Sequence, residues 1–158
     1  MNSELFFSSK TDDWATPQEF FDELNKEFNF TLDPCADANN HKCNTYFTKS
    51  DNGLSKDWGG HKVFCNPPYG RTISDWVKKC HDEVLFKDAI LAVMLIPART
   101  DTKWFHKFIN KRSEVRFIKG RLKFGESQNS APFPSMVVIF RKMDVLEEYK
   151  KLRKEGKI

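Results

Sequence analysis

Lys62-Val63-Phe64-Cys65-Asn66-Pro67-Pro68-Tyr69 is the stretch that decides the reading of this chain. Val63, Phe64 and Cys65 form a short apolar run with the size and composition of a buried strand. Pro67 and Pro68 then stop it, because each fixes φ and neither carries a backbone N–H for a sheet ladder. Asn66 is thereby set at a strand end, in a turn stiffened by two prolines.

Outward from this turn, strands alternate with helices. Phe30-Thr31-Leu32 reads as a short strand that stops at Asp33-Pro34. Thr16-Pro17-Gln18-Glu19 has the form of a capping box with proline at the first helical position. Phe20, Phe21, Leu24 and Phe28 follow on one face, so residues 17–28 are expected to be an amphipathic helix. Ile73, Trp76, Val77, Cys80 and Val84 keep helical spacing after the double proline. Ala89–Ile96 is continuously apolar, as a central parallel strand covered on both faces should be. Trp104, Phe105, Phe108 and Ile109 mark another helix, with Trp76 and Trp104 read as core. Val115–Ile118 and Met136–Phe140 are expected to be the last strands.

This order predicts an α/β fold with a mainly parallel sheet and helices on both faces. Ligands of such sheets bind beyond the carboxyl ends of the strands. Two candidate sites fall there, Asp33-Pro34-Cys35-Ala36 and Asn66–Tyr69.

The chain has 158 residues, enough for one domain with a real core, and a net charge of +4 with a pI near 8.8. That balance suits a polyanionic partner without demanding one. Arg99, Lys111, Arg112, Arg116, Lys119, Arg121 and Lys123 are candidates for phosphate contact, although a charge run is usually a solvated face. No stretch has the length of a membrane span or the form of a signal peptide. A cytoplasmic protein is expected. The four cysteines (35, 43, 65 and 80) do not have disulfide-framework spacing. Cys35, His41 and Cys43 lack further ligands at zinc spacing, so no metal is expected.

An Asn-Pro-Pro-Tyr turn suits one kind of chemistry. The lone pair of an exocyclic aromatic amine is delocalised into its ring, so that nitrogen is a poor nucleophile. Two acceptors aimed at its hydrogens would localise the pair. The side-chain oxygen of Asn66 and the carbonyl of Pro67 can be those acceptors, with Tyr69 stacked on an extruded base. The plain alternative is a turn after a strand.

Asn66-Pro67-Pro68-Tyr69 matches the catalytic signature of amino-methyltransferases that act on adenine, cytosine or glutamine amides. Around it stand Trp14-Ala15-Thr16-Pro17, Leu32-Asp33-Pro34-Cys35-Ala36, Asp51-Asn52-Gly53-Leu54 with Trp58, Leu95–Thr102, Trp104-Phe105-His106, Gly120–Phe124 and Ala131–Ser135. In that order, over about residues 12–141, the chain resembles the phage-type DNA N-6-adenine methyltransferases. The resemblance implies a trimmed Rossmann-like fold dependent on S-adenosylmethionine, acting on a flipped-out adenine of double-stranded DNA in a bacterial host. Residues 1–143 would be the methyltransferase domain and 144–158 a charged, helical tail of the same domain. Catalysis would fall to Asn66, Pro67, Pro68 and Tyr69, and cofactor binding to Trp14, Thr16, Pro17, Asp33, Pro34, Ala36, Asp51 and Leu54. Tyr69, Arg99 and Phe133 would contact the substrate; Phe124 and Phe133 flank the loop Gly125–Pro132 and could form the opposite wall of the base pocket, although Phe124 reads more readily as core.

The chain also departs from that pattern. No glycine-rich loop follows Asp33, and only 17 residues separate Asp33 from Asp51, too few for a full helix–strand unit. The acid that grips the cofactor ribose is not evident, Asp37 being one candidate. Sequence recognition is left to the loops 37–48 and 125–135 or to a second subunit. The same fold acting on RNA or a protein amide, or an idle DNA-binding module, remains open. Oligomeric state is not legible.

Overall fold

The computed structural model describes residues 13–125 and 129–158, without the side chain of Val145. Residues 126–128, within the expected recognition loop 125–135, lie outside the described residues. The sheet comprises β1 (Leu32–Asp33), β2 (Thr45–Tyr46), β3 (Lys62–Cys65), β4 (Leu91–Pro97), β5 (Glu114–Phe117) and β6 (Ser135–Arg141). Its strand order is β2-β1-β3-β4-β6-β5. The pairs β1–β2, β1–β3 and β3–β4 are parallel, whereas β6 is antiparallel to both β4 and β5. Five strands therefore share one direction and β6 alone is reversed. The longest ladder is nonetheless antiparallel, joining Leu91–Pro97 to Arg141–Ser135. The sheet is mixed: three of its five strand pairs are parallel, as expected of a mainly parallel sheet, but the β6 ladders are antiparallel.

Side-chain alternation puts helices on both faces. Phe64 meets Phe21 of α1 (Gln18–Phe28) at 5.1 Å between ring centroids. The next residue, Cys65, points the opposite way, towards Cys80 of α2 (Ile73–Leu85). β4 lies between β3 and β6 and is buried from Ala92 to Pro97, as its unbroken apolar sequence requires. The apolar set Trp104–Ile109 forms a wide π-helical turn over Phe105–Ile109. The C-terminal helix α3 (Lys142–Lys154) packs on α2, where the Tyr149 hydroxyl lies 3.4 Å from Nε2 of the buried His81. Among the described residues no helix is long and apolar enough to cross a membrane.

The start of α1 differs from the expected capping box. The helix begins at Gln18 with Pro17 as its cap, and no side chain bonds the first turn. The Thr16 hydroxyl is engaged elsewhere, as described below.

β2 had no signal in the sequence. Two residues show no periodicity, and the strand exists because β1 offers it an edge, with Leu32 opposite Thr45 and Asp33 opposite Tyr46. A parallel connection usually needs a helix. Here the loop 34–44 makes the crossover instead.

The following loop, 47–61, is pinned against the end of β1. Asn52 adopts a left-handed conformation, φ 56°, and turns the chain into a short 3₁₀ segment, Gly53–Ser55. Trp58 is fully buried; its indole N–H donates to the Gly53 carbonyl at 3.1 Å and its backbone N–H to the Glu83 carboxylate of α2 at 3.3 Å. At Gly53 an added Cβ would lie 2.4 Å from the Pro34 carbonyl oxygen and 3.1 Å from the Trp76 ring. Gly53→Ala is therefore expected to lower stability by about 1–3 kcal/mol, the usual cost of overpacking a close contact. Denaturant unfolding checks this, and an unchanged midpoint would mean that the two backbones separate freely.

Candidate active site

Beyond the carboxyl ends of β1 and β3 lies a cavity of about 570 Å³. Its walls come from five parts of the chain: residues 13–16, the turn after β1, the loop 48–54, the double-proline turn, and Thr72 and Trp76 of the helix beyond. Of the residues expected to hold a cofactor, Trp14, Thr16, Asp33, Pro34, Ala36 and Leu54 line it, as do Asn66, Pro67 and Pro68. Pro17 does not; it caps α1. Nor does Asp51, whose exposed carboxylate accepts from the Thr48 amide at 2.9 Å and the Thr48 hydroxyl at 3.0 Å. Those bonds hold the Asp51 carboxyl below its ordinary range. Its neighbours Ser50 and Asn52 face the cavity instead.

Asp33 shapes the floor. Its carboxylate accepts from the backbone N–H of Cys35 at 3.3 Å and of Lys42 at 2.9 Å. One buried side chain thus fixes both ends of the turn that replaces the glycine-rich loop and its helix. Burial raises the Asp33 carboxyl above its ordinary range, and the two N–H donors work against that rise. The Cys35 thiol lies 3.6 Å from that of Cys65, and burial raises both thiols so that they stay protonated. His41 is stacked on Tyr46 at 3.9 Å with Nδ1 2.8 Å from the Cys43 carbonyl.

Asn66 is held on three sides. Its Nδ2 donates to the Trp14 carbonyl and to the Thr16 hydroxyl, the latter at 2.8 Å. Its Oδ1 accepts from the Tyr69 hydroxyl at 2.6 Å. A carbonyl can only accept, so the Trp14 oxygen requires the amide nitrogen on its side. That in turn directs Oδ1 to Tyr69.

Tyr69, read in the sequence as the ring that stacks on an extruded base, does not line the cavity. The structure turns it inward: the residue is 4% exposed, and its hydroxyl also lies 2.8 Å from the Leu95 carbonyl on β4. The ring meets Phe124 and Phe133 edge-on at 6.1 and 5.6 Å, and Trp14 meets the same two rings at 5.6 and 5.1 Å. The reason is the β3–β4 pairing, which brings the Leu95 carbonyl within reach of a phenol three residues past Asn66. Burial keeps the phenol neutral, its pKa well above the usual value.

Arg99 is exposed past the end of β4, outside the cavity lining. Of the proposed phosphate contacts, Arg116 is engaged elsewhere: it forks onto Glu27 at 2.8 and 2.7 Å and also pairs with Glu114. Asp13, Asn40, Lys42, Lys49, Phe64 and Trp76 line the cavity without having been singled out as site residues. Asp37 lines it too. Phe64 and Trp76 carried a signal, as apolar positions of the strand and helix that flank the double-proline turn.

Residues 4–155 match the DNA N-6-adenine-methyltransferase (Dam) family. The chain belongs to that family. It is 32% identical over 140 residues to the DNA N-6-adenine-methyltransferase of Haemophilus phage HP1, covering 84% of this chain and 80% of that one. It is likewise 32% identical over 111 residues to the DNA N-6-adenine-methyltransferase of Escherichia phage T1, covering 69% of this chain but 45% of the phage T1 protein. A solved structure from Thermoplasma acidophilum overlays 78% of this chain and 86% of its own at 11% identity and a TM-score of 0.43.

Asp33→Asn keeps the shape of the side chain but puts an NH₂ where one of two backbone donors needs an acceptor. The variant is expected to lose about 1–3 kcal/mol of stability, the cost of a buried unmatched polar group. Thermal melting checks this, and a parental midpoint would remove Asp33 from its role in holding the 34–42 turn.

Proposed function

We propose that this protein transfers a methyl group from S-adenosylmethionine to the N6 amine of an adenine extruded from DNA, on a fold of the Rossmann-like methyltransferase type. The observation that carries the reading is Asn66, set rigidly at the rim of the cavity with its amide oxygen directed by three partners.

The cavity suits the cofactor. Its volume, about 570 Å³, lies within the usual range for small-molecule sites. Pro34, Ala36, Leu54, Phe64 and Trp76 offer apolar walls for a nucleoside. Three aspartates, Asp13, Asp33 and Asp37, face two lysines, Lys42 and Lys49, which favours a ligand with excess positive charge such as a sulfonium bearing an amino acid. Trp14, Asp33, Pro34, Ala36 and Leu54 would surround it. Bound there, S-adenosylmethionine would supply an electrophilic methyl group, taken in line by the amine nitrogen as the sulfur leaves as a neutral thioether, with one amine proton then lost to solvent.

The chain's own residues then act on the amine. Asn66 Oδ1 has a second lone pair free to accept one amine hydrogen, and the Pro67 carbonyl accepts the other. The Tyr69 hydroxyl has one proton and two acceptors, Asn66 Oδ1 at 2.6 Å and the Leu95 carbonyl at 2.8 Å. Turning that proton to Leu95 leaves Oδ1 wholly to the amine. Double proline keeps both acceptors in place, so orientation is supplied before the reaction begins. For the base to stack on Tyr69, Phe133 has to leave its 5.6 Å edge contact with that ring. Phe133 is half-buried at the edge of the aromatic group, whereas Phe124 is buried. Arg99, exposed past β4, would meet a backbone phosphate of the duplex.

Tritiated methyl transfer to unmethylated DNA, RNA and protein, run side by side, tests the reading. Label is expected in adenine of double-stranded DNA. Asn66→Ala should reduce turnover by about 100-fold or more, the scale for removing one aligned hydrogen-bonding group from a reaction centre. Label confined to RNA or protein would refute the substrate, and an Asn66→Ala variant with parental turnover would refute the site.

A further inference from the structure

We propose that Thr16 is a positioning residue for Asn66, acting on the target amine through the Asn66 amide rather than by holding the cofactor. The inference rests on the function proposed above and assigns Thr16 a different task from the one its motif suggests.

Thr16 stands at the position where a capping threonine would receive a backbone N–H of the first helical turn. Such a cap ordinarily stabilises a helix, and losing it is costly. In this structure that cap is absent: α1 starts at Gln18, with Pro17 as its cap residue and no side-chain bond. The hydroxyl oxygen instead accepts from Asn66 Nδ2 at 2.8 Å. Thr16 is 6% exposed, so water is a poor substitute for that bond.

The Asn66 amide has two hydrogens, and both are used: one on the Trp14 carbonyl, the other on Thr16. With both placed, the amide plane cannot rotate about its last bond without losing a bond. Oδ1 then stays where the Tyr69 hydroxyl meets it. The Trp14 carbonyl selects which amide atom faces the N-terminal segment, and the Thr16 hydroxyl fixes the plane. Trp14 is itself anchored by the rings of Phe124 and Phe133, and the adjacent Ala15 carbonyl accepts from the Gly125 N–H at 2.8 Å. The strap 13–16 thus carries tertiary order from the far end of the chain to one side-chain amide.

Thr16→Val preserves the shape and removes the acceptor, while Thr16→Ser keeps the acceptor and removes a methyl group. The Asn66 side-chain NH₂ resonances, assigned by their loss in Asn66→Asp, should shift in the valine variant of ¹⁵N-labelled protein and return near the parental position in the serine variant. For the same proteins, kcat on adenine-containing duplex DNA should fall roughly 2- to 12-fold for valine, the scale of one hydrogen bond, and recover for serine. The dissociation constant for S-adenosylmethionine should change less than about 2-fold. Unmoved NH₂ resonances in Thr16→Val would overturn the proposal whatever the activity. So would weaker cofactor binding with kcat intact, which would return Thr16 to the cofactor. A parent protein that leaves DNA unmethylated while the resonances shift as expected would sink the proposed function and leave the positioning contact standing.

Discussion

The arrangement depends on a single side-chain amide. Asn66 sits at the end of β3, yet its partners come from residues 14 and 16, from Tyr69 and, through that tyrosine, from β4. Three segments distant in sequence, the strap 13–16, the turn 66–69 and β4, are thus tied together through one planar group. Because the Trp14 carbonyl can only accept, the amide has one permitted orientation. The placing of Oδ1 opposite the Tyr69 hydroxyl follows from it. A partly buried polar group satisfied on every side gives this kind of uniqueness, and a partly satisfied one would not.

A second economy lies on the β1 side. Where a helix would join two parallel strands, the chain uses the loop 34–44, held by the Asp33 carboxylate. The next loop is pressed against it so closely that Gly53 has no room for a side chain beside the Pro34 carbonyl. Trp58 then fastens that loop to α2 through Gly53 and Glu83. The cavity floor is therefore made of backbone held by a few buried side chains, which brings peptide groups close to any ligand without a glycine-rich sequence. Thr16 shows the same trade at the other wall: a cap is forgone at α1 while the hydroxyl serves the site.

Much of this was legible in the sequence because it is local. The apolar runs 63–65 and 89–96, the spacing of Ile73, Trp76, Val77 and Cys80, and the prolines at 67 and 68 each encode an element through propensity and period alone. Alternation at Phe64 and Cys65 already implies two opposite faces. The two strand-end motifs fall at the cavity for the same reason: a strand's end is fixed by what stops it, and Pro34 and Pro67 stop theirs. Motif order over nearly the whole chain also pointed to the Dam family, to which residues 4–155 belong.

Tertiary structure alone decided where the polar atoms of those motifs are directed. Asp51 belongs to a cavity-lining loop, yet its carboxylate turns back on Thr48. Tyr69 follows two prolines, yet the Leu95 carbonyl draws its ring inside. Thr16 has the sequence of a cap and the geometry of a latch. β2 exists only because β1 has an edge to offer. Backbone elements are set by neighbours within a turn or two of chain, whereas a side-chain hydrogen bond is set by whichever acceptor lies within 3 Å. For Asn66 those acceptors lie 50 and 52 residues away in sequence, and no local pattern can contain them.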